Sequence, residues 1–154
     1  MNAAIHLVRR LIAICCCLIA SFAARADIID INSAELAKLA ASGVPVIDIR
    51  TSPEWQETGI VPGSHLLTFF DERGRADPAT WLERAKAIAR PGDPLIVICR
   101  SGNRTRTLGQ FLTQQAGYAK VYNVKDGIRA WAKEGRPVVS AAPDLAACRA
   151  ARKC

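Results

Sequence analysis

The sequence predicts an α/β protein, a single domain on a mainly parallel central sheet with helices on both faces. Three observations carry that expectation. Short apolar runs of strand character alternate along the chain with segments of helical periodicity, the pattern of parallel strands joined by helical crossovers. One run, Leu95-Ile96-Val97-Ile98, is apolar at every position, as a strand in the middle of a covered parallel sheet must be. The composition is that of one globular unit: 154 residues, half of them apolar and 23% charged, which excludes a disordered, collagen-like or multi-span membrane chain.

The first 26 residues differ from the rest. Arg10 and Arg25 bracket an uncharged stretch, Leu11 to Ala24. As a helix it reaches about 21 Å, short of the roughly 30 Å hydrocarbon core. A basic start, a short apolar middle and the Ala24-Arg25-Ala26 exit describe a secretory signal peptide over residues 1–26, with a domain over 27–135 and a tail over 136–154. The expected location is therefore periplasmic, without stable membrane association after cleavage. An uncleaved anchor is the competing reading. Lipoprotein processing at Cys15 lacks a small residue before the cysteine, and Arg9-Arg10 is a weak twin-arginine signal.

The domain follows element by element. Ile28 to Ile31 reads as a strand. Asn32 and Glu35 have capping-box spacing before Leu36, Leu39 and Ala40, and Gly43 stops that helix. Val44 to Ile49 is an apolar strand holding Asp48. Pro53 starts a short helix, Val61-Pro62-Gly63-Ser64 turns, and His65 to Phe70 reads as a strand. Asp77-Pro78 opens a helix with Trp81, Ala85 and Ile88 along one face, ended by Pro91-Gly92-Asp93-Pro94. After the central run comes a Gly-containing loop, a helix from Asn103 to Gln115, a strand at Val121 to Val124 and a helix from Gly127 to Lys133. From Gly135 onward the Ala/Pro/Arg-rich tail carries only weak structure signals.

Open α/β sheets place their sites at the carboxyl ends of the strands. The central run ends in Cys99-Arg100-Ser101-Gly102-Asn103-Arg104-Thr105. Where a strand turns into a helix, successive N–H groups can form an anion nest, and the helix adds the positive end of its dipole. Arg100 and Arg104 add charge. All of these favour a thiolate at Cys99, the stronger nucleophile, in a setting suited to an anionic substrate. An inert core thiol is the other reading; two arginines within five residues weigh against it. Asp48 and Arg50 share a strand face and read as a buried supporting pair. Trp55, Trp81 and Trp131 read as packing residues.

Here the chain resembles the rhodanese-like sulfurtransferases. Cys99 to Arg104 looks like that family's six-residue active-site loop. Val46-Ile47-Asp48-Ile49-Arg50 looks like its early strand. Pro53-Glu54-Trp55 through Gly59, then Pro62-Gly63-Ser64, looks like its second signature, and Asn123 to Trp131 its closing one. The second signature departs at Ile60, where the family usually has histidine; His65 is out of register and receives no catalytic role. The resemblance implies sulfane-sulfur transfer. Cys99 takes the outer sulfur of a small anionic donor such as thiosulfate as a persulfide and passes it to a cyanide or thiol acceptor. Arg100, Ser101, Gly102, Asn103, Arg104 and Thr105 form the substrate cradle. Arg104 either holds the donor or folds inward onto an acid.

Two other functions compete. A cysteine phosphatase or arsenate reductase of the same fold uses a longer loop, five residues between cysteine and arginine, where Cys99 to Arg104 leaves four. A persulfide carrier or binding module with little turnover is the third reading. No cofactor is expected. Metal binding is not expected either, because the cysteines and histidine left after cleavage show no close ligand spacing. Losing Arg9, Arg10 and Arg25 lowers the formal charge from +7 to +4, too little to argue for nucleic acid. Cleavage leaves Cys99, Cys148 and Cys154. With Cys99 reserved for chemistry, a Cys148–Cys154 disulfide is expected ahead of a resolving thiol or two free thiols.

Overall fold

The computed structural model describes residues 26–150. Five strands pair in parallel throughout: β1 (Asp27–Ile31), β2 (Val46–Asp48), β3 (His65–Leu66), β4 (Leu95–Ile98) and β5 (Lys120–Val124), in the order β1-β5-β4-β2-β3. Among the described residues six helices accompany them: α1 (Ser33–Ala41), α2 (Ser52–Thr58), α3 (Pro78–Lys86), α4 (Asn103–Gln114), α5 (Gly127–Lys133) and α6 (Ala142–Ala150).

The period-2 geometry of β4 divides the core. Leu95 and Val97 face Trp81, Ala85, Leu108 and Leu112 from α3 and α4. Ile96 and Ile98 face Leu36, Ile128 and Trp131 from α1 and α5. All four β4 residues are wholly buried, which explains why no polar residue interrupts the run. Caps set the helix starts. Asn32 accepts from the N–H groups of Ala34 and Glu35 while Glu35 accepts from the Asn32 N–H, completing the expected box. Asp77 caps α3 through the Thr80 N–H.

Three elements differ from expectation, the first being the strand read over Val44 to Ile49, which narrows to Val46–Asp48. The strand read over His65 to Phe70 narrows to His65–Leu66. Leu67 and Phe69 still donate to the Asp48 and Ile49 carbonyls, but β3 has β2 alone beside it and the chain bends away to bury both side chains under Trp81. The tail is structured through residue 150. Val139 pairs antiparallel with Ile60, and Ala141 and Leu145 bury against Trp55 and Ile60, with Leu66 alongside. The leader before Ala26 and Cys154 lie outside the described residues, as does the Cys148 side chain, so the expected tail disulfide does too.

Candidate active site

Cys99 follows β4 directly and belongs to the α3/α4 side of the core. It is 1% exposed. The chain turns sharply after it: Gly102 takes φ +87° and returns its N–H to Cys99 Sγ at 3.2 Å. Only glycine fits there. A Cβ on Gly102 would lie 1.9 Å from the Lys125 carbonyl oxygen. The loop is fastened from below by α5, whose Ile128 and Arg129 N–H groups donate to the Cys99 and Arg100 carbonyls at 2.9 and 3.3 Å. Gly127 permits that approach, since a Cβ there would meet the Cys99 carbonyl oxygen at 2.4 Å.

Among the described residues, the N–H groups of Asn103, Arg104 and Thr105, the first turn of α4, have no backbone acceptor. With Gly102 they put backbone donors and the helix dipole beside the sulfur. Thr105, wholly buried, sets its hydroxyl 3.5 Å from Sγ, 3.0 Å from the Gly102 carbonyl and 2.5 Å from Asn123 Oδ1. Asn123 Nδ2 donates to Asp30, which also accepts from Arg106. The Asn123 hydrogen bond, helped by Arg106, holds the Asp30 carboxyl below its ordinary range against the opposing effect of burial. A polar chain thus runs from the sulfur across the β4, β5 and β1 side of the sheet to the surface.

The expected residues divide into distinct settings. Arg100, Ser101 and Asn103 are exposed along the loop; Gly102 and Thr105 are buried. Arg104 folds inward, donating through both terminal nitrogens to Glu54 at 2.9 and 2.6 Å. Burial works to raise the Glu54 carboxyl, but hydrogen bonds from Arg104 and from Thr51 outweigh it and hold it at about 2. The Glu54 hydrogen bonds raise Arg104 in turn, with a further contribution from Cys99.

Asp48 and Arg50 form the expected buried pair, 2.6 Å apart and almost fully enclosed. Arg50 also donates to the Gly59 carbonyl and to Thr58, tying down the end of the helix that carries Glu54. Ile60, standing where the resembled pattern has histidine, is 1% exposed beneath Ala141 and Leu145. His65 is exposed and away from these contacts. The three tryptophans pack as read.

Glu54, Asn123, Asp30 and Gly127 support the site without standing out individually in the sequence. Glu54, Asn123 and Gly127 lie inside the quoted signatures, which was the available signal; Asp30 offered none, being 93 residues from Asn123 in the chain.

Residues 32–134 match the rhodanese-like domain family. The chain is 28% identical over 117 residues to thiosulfate sulfurtransferase 18 of Arabidopsis thaliana, covering 73% of this chain and 84% of that protein. It is 32% identical over 102 residues to a sulfurtransferase of Allochromatium vinosum, covering 63% and 79%. Among solved structures it resembles a rhodanese-related protein from Thermoplasma volcanium, at 28% identity and a TM-score of 0.54 over 72% of this chain and 97% of that one.

Proposed function

The chain belongs to the rhodanese-like domain family, and from that we propose that Cys99 carries sulfane sulfur from an anionic donor such as thiosulfate to a thiol or cyanide acceptor. The observation that carries the reading is the Cys99 Sγ at the foot of a loop whose Gly102 N–H meets it at 3.2 Å. The thiolate attacks the outer sulfur of thiosulfate; the bond between the two donor sulfurs breaks, sulfite leaves with its electron pair, and a Cys99 persulfide remains. An acceptor thiolate then attacks the outer persulfide sulfur, forms a new sulfur–sulfur bond and returns the Cys99 thiolate. No external oxidant or reductant is needed. The Gly102 N–H, already aimed at Sγ, stabilises charge there without reorganising during the reaction.

Arg100, exposed and unpaired among the described residues, is the cation available to a dianionic donor, whereas Arg104 is committed to Glu54. The basic, short apolar leader supports export to an oxidising compartment. The test is thiocyanate formation from thiosulfate and cyanide. Wild type turns over repeatedly, and Cys99→Ser falls to background because a neutral hydroxyl cannot hold a persulfide. Activity retained in Cys99→Ser, or hydrolysis of a phosphate ester in place of sulfur transfer, would overturn the reading.

A further inference from the structure

On one side of the Cys99 loop lies an open cavity of about 680 Å³. Its wall is continuous with the loop. Arg100 and Ser101 form one side, and Ile128, Arg129 and Lys133 of α5 form another. The two sides are joined where the Arg129 N–H donates to the Arg100 carbonyl. The apolar part of its accessible lining comes from the half-buried Ala130 and the exposed Ala132, with Thr58 also lining it.

The charge on this cavity is unbalanced. Arg100, Arg129 and Lys133 line it against the single acid Asp126, and none of the three cations makes an ion pair among the described residues. Arg129 and Lys133 stand four apart on one face of a short helix, a like-charge spacing that weakens a helix unless something anionic lies between. The volume also exceeds what the donor requires. Thiosulfate has five atoms and needs only the N–H cradle and one arginine. About 680 Å³ falls in the range that holds an organic ligand.

We propose that this cavity is the acceptor site and that it selects a small organic thiol bearing two or more carboxylates. Arg129 and Lys133 grip the carboxylates, the carbon skeleton rests on Ala130 and Ala132, and the thiol is presented along Arg100 and Ser101 to the sulfur held at Cys99. The reaction is the second half-transfer above, with the same atom balance. The inference rests on the sulfurtransferase reading only for the transfer itself; the binding site stands on its own geometry.

The probes are mercaptosuccinate, which carries two carboxylates, and 2-mercaptoethanol, which carries none. Wild type, Arg129→Ala, Lys133→Ala and the double variant are first charged with thiosulfate and weighed intact, which tests the persulfide separately. Discharge is then followed with each thiol. The double variant should lose about tenfold in kcat/KM for mercaptosuccinate, through KM and equivalent to about 1.4 kcal/mol, and nothing for 2-mercaptoethanol. High salt should remove the same advantage from wild type. S-methyl mercaptosuccinate, which cannot react, should bind wild type and Cys99→Ser alike and bind the double variant more weakly by the same factor. Equal effects on the two thiols, or binding of the methylated probe that ignores Arg129 and Lys133, would overturn the proposal. Specific binding without any persulfide would retain the site and reject the transfer reading instead.

Discussion

Thr105 has one hydroxyl proton and three neighbours that could use it: the Gly102 carbonyl, Asn123 Oδ1 and Cys99 Sγ. Asn123 has the shortest contact, and its own amide nitrogen is held by Asp30, so its oxygen faces Thr105. Thr105→Val therefore orphans a buried carbonyl and is expected to cost about 1–3 kcal/mol in denaturant unfolding. Thr105→Ser keeps the hydroxyl and should lose only about 0.8 kcal/mol for the missing methyl. Equal losses would mean that the hydroxyl network contributes nothing. Glu54 gives a pH signature. Its carboxyl sits at about 2 in the folded chain against an ordinary 4.5. A depressed carboxylate stabilises fully above its unfolded pKa and loses that contribution as pH falls through its folded one. The difference in melting temperature between wild type and Glu54→Gln should stay level from about pH 7 down to about pH 5 and close as pH falls further toward 2. A difference that grows on acidification would contradict the pairing with Arg104.

At the scale of elements, the loop depends on backbone contacts that only glycine permits. Gly102 and Gly63 both have positive φ, +87° and +75°, but Gly63 has nothing within 4 Å of a Cβ while Gly102 has the Lys125 carbonyl. Gly63→Ala should cost about 1–2 kcal/mol from backbone conformation alone. Gly102→Ala should exceed about 4 kcal/mol and yield little folded protein, because the turn and the Lys125 backbone just after β5 cannot both keep their places. Similar costs for the two would show that the turn can relax. The C-terminal segment explains the departure at position 60. Ile60 pairs with Val139 and lies in an apolar cluster with Trp55, Ala141 and Leu145. Ile60→His should lower stability by about 1–3 kcal/mol, since it moves a polar imidazole out of water into an apolar cluster, and should not raise sulfur transfer. A variant that is both stable and faster would make the histidine a missing site residue. That cluster was not legible beforehand. Among the described residues of the segment only Ala141 and Leu145 are buried, too few to set up a visible period, and Pro143 reads as a breaker although it falls in the first turn of α6, where proline is tolerated.

For the whole molecule, the order of layers was legible because alternation of strand and helix, uniform burial of β4 and local caps are all short-range signals. The end of β3 was not, since an edge strand stops where its one partner stops. The loop was legible from Cys99 to Thr105, while its supports come from Glu54, Asn123, Asp30 and Gly127, brought together by topology across up to 93 residues. Those supports all converge on one sulfur atom, and the account stands on what that atom does. The most direct measurement is the intact mass of the protein after incubation with thiosulfate and removal of excess donor, for wild type and Cys99→Ser. The account predicts that wild type gains the mass of one sulfur atom, lost again on adding a thiol, and that Cys99→Ser gains nothing. No gain in wild type, or the same gain in Cys99→Ser, would contradict it.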